Sequence, residues 1–168
     1  ATALNVPRVN ILAGKQPVDA DLLPCLNTLA ENLKLACSML TQHHIQPVFE
    51  MINGTDMPRF LVQNIAQAQE MLEAVKHPAL KMQYDCYHMA MVGEDVLSAL
   101  QENIQDIGHI QFADNPGRHE PESGELDYAA IFKWLQHSAY SGYIAAEYRP
   151  SLASHQSFAW KDKYFASP

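Results

Sequence analysis

The sequence predicts an α/β chain built on a parallel sheet. Three observations carry that reading. Five short β-rich runs recur along the 168 residues, longer segments of helical periodicity separate them, and no two runs adjoin as a hairpin. Alternation of this kind implies right-handed crossovers between parallel strands.

The first run covers residues 8–14 (RVNILAG). A helix is expected over 19–43, where Leu22, Leu23, Leu26, Leu29, Leu33, Ala36, Cys37 and Leu40 make one broad apolar face and Asp19 or Asp21 serves as N-cap. Pro24 fits its first turn, where a missing N–H costs little, and His43 and His44 sit at its negative pole. The second run, 46–53, leads to a helix expected from Asp56 or Met57 to about Val75, with Pro58 in its first turn. The third run, 80–88, precedes a shorter helix over 94–106 that starts at Gly93-Glu94-Asp95 and turns Val96, Leu97, Leu100 and Ile104 inward. The fourth run, 107–114, opens into a long loop, NPGRHEPESGELDY, before a helix over 128–137 with Ile131, Phe132, Trp134 and Leu135. The fifth run is 142–150, and the tail over 154–165 is weakly helical. No linker or composition shift divides the chain, so residues 1–168 are expected to be a single domain.

Composition narrows the function. Hydrophobic residues at 48% and charged residues at 18% suit a globular core and argue against disorder, collagen and coiled coil. A net charge of −8 without a basic run is a poor match for phosphate backbones or anionic membranes, so neither nucleic acid nor membrane is an expected partner. Cys25, Cys37 and Cys86 have no zinc-type spacing and read as reduced thiols of a cytoplasmic protein. No apolar stretch approaches the ~20 residues of a membrane helix.

Glu50, Asp85, Gln111 and Glu147 lie near the C-terminal ends of successive runs, each about one βα unit of ~30 residues from the next. Parallel α/β folds build their sites at those ends, and in a barrel the four converge at one mouth. Three carboxylates and an amide oxygen suit Mg²⁺ or Mn²⁺ better than Zn²⁺. Without a cation, carboxylates so close repel and at least one protonates. Taken singly, each is also an ordinary helix cap or surface residue; four in phase point to a shared site. In the long loop, Arg118 offers a fork for a carboxylate and His119 a donor to a carbonyl or hydroxyl, against the plainer reading of a solvated loop. His88, three residues after Asp85, stands at the same mouth or packs in the barrel wall, and His109 reads as interior packing. No phosphate cradle, nucleophile elbow or Cys–His pair is present.

The stretches FEMIN…DMPRFL, LKMQYDCYHM, HIQFADNPGRHEPESGELDY and GYIAAEYRP closely resemble the bacterial hydroxypyruvate isomerases of the xylose-isomerase-like TIM-barrel superfamily. The resemblance runs from RVNILAG to EYRP. It implies a partial (β/α)₈ barrel whose five βα units correspond to strands 4–8. A whole barrel needs about 250 residues, so the chain is expected to be the C-terminal two-thirds, lacking the N-terminal third. It also implies interconversion of hydroxypyruvate and tartronate semialdehyde through an enediolate.

By the same resemblance, Glu50 and Glu147 are the catalytic carboxylates and His88 faces the substrate. Glu50, Asp85, Gln111 and Glu147 are the ligands of a divalent metal, Mg²⁺ or Mn²⁺. Arg118 and His119 are the candidates for the carboxylate of a small hydroxy or keto acid, and a homo-oligomer is compatible with the fold. Ala90 stands where the family's segment usually continues with Gln. That departure bears on substrate fit. Because one fold serves several reactions, the other readings are a 2-oxo-tetronate isomerase or an epimerase of a small ketose on the same barrel, and, from another class, a truncated non-catalytic barrel.

Overall fold

The structure is a computed structural model describing residues 1–165. Five strands form one sheet in chain order: β1 (Arg8–Ile11), β2 (Gln46–Glu50), β3 (Lys81–Asp85), β4 (Ile107–Phe112) and β5 (Ile144–Ala146). β1 with β2, β2 with β3, and β4 with β5 pair in parallel. Helices bridge successive strands, as parallel pairing requires: α1 (Leu22–Thr41), α2 (Ile65–Val75), α3 (Cys86–Met91) with α4 (Val96–Asn103), and α5 (Tyr128–His137). α6 (Ala159–Phe165) follows β5. Among the described residues no helix is long and apolar enough to cross a membrane. The chain packs as two compact units, Ala1–Tyr84 with Asp106–His109, and Asp85–Gln105 with the chain from Ile110 onward.

The first unit buries Leu29, Leu33 and Cys37 of α1, Val48 and Phe49 of β2, Met82 and Tyr84 of β3, and Ala68, Met71 and Val75 of α2. β2 and β3 are buried on both faces; Phe49, Met82 and Tyr84 make one face apolar, and the other carries Glu50, Gln83 and Asp85. Leu22 and Leu23 do not join this core; they are exposed, which narrows the apolar face expected for α1. α1 begins after Asp21, whose side chain makes no capping bond. The helix expected from Asp56 or Met57 starts only at Ile65. Asn53 Oδ1 accepts the Asp56 N–H at 2.8 Å, and Asn64 Oδ1 caps the Gln67 N–H at 2.9 Å. These side chains compete with helical bonding over 53–64, so Pro58 lies in a turn. Arg59, at φ 65°, ties that turn to the Gln16 carbonyl at 3.0 Å and to the Pro17 carbonyl. His109 is half-buried in β4, and burial, with Arg8 nearby, lowers its imidazole's affinity for a proton.

The second unit centres on aromatic side chains. Phe112 of β4 meets Phe132 edge-on at 5.2 Å and Trp160 at 5.1 Å between ring centroids, and Tyr128 stacks at 5.1 Å on Phe132. The weakly helical tail becomes α6 because Trp160, Tyr164 and Phe165 all pack against that cluster. Asp95 and Asp127 cap α4 and α5 through the Ser98 and Ala130 N–H groups, at 2.9 Å each. The strand expected over 80–88 ends at Asp85, and its remainder turns into α3. Asp85 Oδ1 accepts the Tyr87 N–H at 2.8 Å, so the acid that ends β3 also starts the helix.

Candidate active site

Asp85 is fully buried at the end of β3. Its Oδ1 is committed to capping α3, while its Oδ2 faces His88 Nε2 at 3.8 Å and Arg118 Nη2 at 3.5 Å. Three residues along a helical turn bring His88 back over Asp85; the imidazole is itself buried. Arg118 reaches in from the long loop after β4, and the backbone around it is fastened on several sides. Its N–H donates to the Asp114 carbonyl at 3.0 Å, and its carbonyl accepts the Arg149 N–H at 2.8 Å. Asp114 Oδ1 holds the loop's two ends through the Asn115 and Leu126 N–H groups, at 2.8 and 3.1 Å. Glu120 secures its middle by accepting the Ser151 N–H at 3.0 Å. Gly124 fits only because a Cβ there would stand 2.5 Å from the Asn115 carbonyl oxygen.

Glu147 follows β5 and extends the ladder, its N–H donating to the Phe112 carbonyl at 3.0 Å. Its Oε1 lies 3.2 Å from the same Arg118 Nη2, and the guanidinium stands 5.0 Å from the centre of the Tyr87 ring. One guanidinium thus meets two carboxylates that the chain supplies from different strands. The second unit brings together Asp85, His88, Arg118 and Glu147 of the expected residues. Gln111 lies in β4 of this unit, in register with Ala145. His119 uses its Nδ1–H on the Arg149 carbonyl at 2.6 Å, which fastens the loop to the segment after β5.

Burial pushes the Asp85 carboxyl up to about 6; Arg118 opposes the rise, Glu147 adds to it, and the Tyr87 and His88 N–H groups oppose it. A carboxyl that binds its proton more tightly folded than unfolded stabilises the fold at low pH. That contribution is lost as pH rises through the window from about 4 to about 6. Two pH units correspond to about 3 kcal/mol. In urea unfolding of metal-free protein, Asp85→Asn should therefore gain on the wild type by about that much between pH 4 and 7. Parallel stability curves would remove Asp85 as the titrating group.

Glu50 lies in the first unit, buried at the end of β2. Its Oε2 accepts two side-chain amides, Asn10 Nδ2 at 2.8 Å and Gln83 Nε2 at 2.9 Å. Neither amide was singled out by the sequence. Their signal was a neutral amide at an interior position of a strand, Asn10 in RVNI and Gln83 in KMQYD.

The xylose isomerase-like TIM barrel profile matches residues 1–164. The chain belongs to that family. It is 36% identical over 164 residues to the hydroxypyruvate isomerase of Escherichia coli strain K12, covering 98% of this chain and 64% of that protein. It is 37% identical over 157 residues to the 2-oxo-tetronate isomerase of Cupriavidus necator, covering 94% of this chain and 60% of that protein. The chain thus spans less than two-thirds of the length of these relatives. Among solved structures, an AP endonuclease, family 2, from Brucella melitensis superposes with a TM-score of 0.91 at 28% identity, over 96% of this chain and 62% of that one. A 3-keto-D-glucoside 4-epimerase from E. coli, at a TM-score of 0.77 and 23% identity over 93% of this chain and 63% of that one, shares the fold. The fold class is the expected one, a parallel α/β segment of a TIM barrel.

Proposed function

We propose that this chain carries the acid/base machinery of an isomerase acting on a small hydroxy or keto acid, with hydroxypyruvate and tartronate semialdehyde as the pair interconverted. The observation that carries the reading is the cluster of Asp85, His88, Arg118 and Glu147, in which one guanidinium meets two carboxylates and the imidazole faces the buried one, Asp85. The relatives named hydroxypyruvate isomerase and 2-oxo-tetronate isomerase support the reaction class.

The reaction moves a proton from C3 to C2 and a hydroxyl proton from O3 to O2, so that the carbonyl passes from C2 to C3. Glu147 and Glu50, each at the end of its own strand, are the proposed carboxylates: one takes the C3 proton to give an enediolate, and one returns a proton to C2. The developing oxyanion requires positive charge or a donor beside it, and His88 and Arg118 supply both types. Arg118 also matches the geometry of the substrate's carboxylate.

A divalent cation is compatible with this donor set. Asp85 and Glu147 already direct oxygens at a shared positive charge, and oxygen donors suit Mg²⁺ or Mn²⁺. Glu50, Asp85, Gln111 and Glu147 are the proposed ligands. When bound, such an ion polarises the substrate carbonyl as a Lewis acid.

The three-carbon and four-carbon readings separate in one assay. Proton NMR of purified protein with hydroxypyruvate should show tartronate semialdehyde accumulating faster than any product from 2-oxo-tetronate. The reverse order moves the assignment to the four-carbon acid, which the Cupriavidus relative favours. Folded protein that turns over neither would refute the isomerase reading. Chelation with EDTA should lower the rate and added Mn²⁺ restore it; full activity after metal removal would refute an obligatory ion.

A further inference from the structure

We infer that Asn10 and Gln83 are positioning residues for Glu50, an inference that rests on the acid/base role proposed for that glutamate. In the parallel register Gln83 lies beside Glu50, and Asn10 lies beside Val48, two residues earlier and so on the same face of β2. Both amides donate to the same carboxylate oxygen, Oε2, at 2.8 and 2.9 Å. Neither can reverse its amide without setting a carbonyl oxygen against the carboxylate, so the donors hold their sense. Two donors on one oxygen fix the plane and rotamer of the carboxylate before substrate arrives.

A second observation separates this from ordinary packing. Asn10 Oδ1 is buried and has no hydrogen-bond partner among the described residues. An orphaned amide oxygen of this kind destabilises a fold. An asparagine present only to knit strands together would satisfy both ends. Asn10 satisfies only the end that meets Glu50, and departures of this kind concentrate at functional sites.

The test uses Asn10→Leu and Gln83→Met, which remove the donor while keeping side-chain bulk, with Glu50→Gln as the control. With the three- or four-carbon acid that turns over, each variant should lower kcat by about tenfold or more and leave KM within about threefold. Substrate deuterated at the carbon that loses its proton should then show a larger isotope effect on kcat, because a misaligned carboxylate slows the proton transfer itself. Folded variants with wild-type kcat and isotope effect, beside an inactive Glu50→Gln, would overturn the clamp alone. A Glu50→Gln protein with wild-type turnover would instead refute the acid/base role beneath it. A readout without turnover covers the remaining case. In urea unfolding, Gln83→Met and Glu50→Leu together should cost less than the sum of the two alone, and additive costs would overturn the contact. If an apolar variant does not fold, Asn10→Ser and Gln83→Ser repeat both measurements with the same expectations.

Discussion

Glu147→Gln should lower kcat by about a thousandfold while the protein keeps its fold and its KM stays within a few-fold. Glutamine preserves length and the contact with Arg118 through its amide oxygen, but it cannot carry a proton between carbons. The side chain is half-exposed after a three-residue strand, so its replacement disturbs no packed core. Steady-state kinetics beside circular dichroism checks the outcome. A Glu147→Gln protein within tenfold of wild-type kcat would remove this residue from the chemistry. The same substitution at Glu50 should have an effect of similar size if the two glutamates divide the proton's departure and return.

The second large effect is expected at Arg118. Arg118→Ala should raise KM for the acid substrate and lower kcat/KM by about a hundredfold or more, roughly 3 kcal/mol. Two losses combine. The substrate carboxylate loses its fork, and buried Asp85 loses the opposite charge that holds its carboxyl down, so that carboxyl moves above its present value of about 6. Arg118→Lys should recover charge without the bidentate geometry, and hence only part of the activity. An unchanged KM in Arg118→Ala would refute the substrate-carboxylate role.

The legible parts of this protein are those set by local pattern. Five apolar runs became five strands in one sheet, and the helix over Tyr128–His137 has the expected bounds. Asp85 and Glu50 were conspicuous because an acid stands at the C-terminal end of each of two successive strands. The illegible parts depend on side chains that redirect the backbone. Cys-Tyr-His after Asp85 reads as strand, and becomes the start of α3 because Asp85 caps it and because Tyr87, His88 and Met89 are all buried there. The span from Asp56 or Met57 to Asn64 reads as helix, but Asn53 takes the Asp56 N–H into a turn and Asn64 caps a helix that begins only at Ile65. The meeting of Arg118 with Asp85 spans 33 residues of sequence and depends on the ties that Asp114 and Glu120 make within the loop. No periodicity records such a contact. The amides on Glu50 come from strands 40 and 33 residues away, and only the register places them.

In the proposed reaction, carboxylates of this chain move a proton through an enediolate. Solvent exchange tests it most directly. Folded protein in D₂O with hydroxypyruvate should incorporate deuterium at C3 of recovered substrate and at C2 of product well above the rate in buffer alone. In Glu147→Gln both signals should fall to the buffer rate. Product formed without solvent deuterium, or exchange undiminished in Glu147→Gln, would contradict the account.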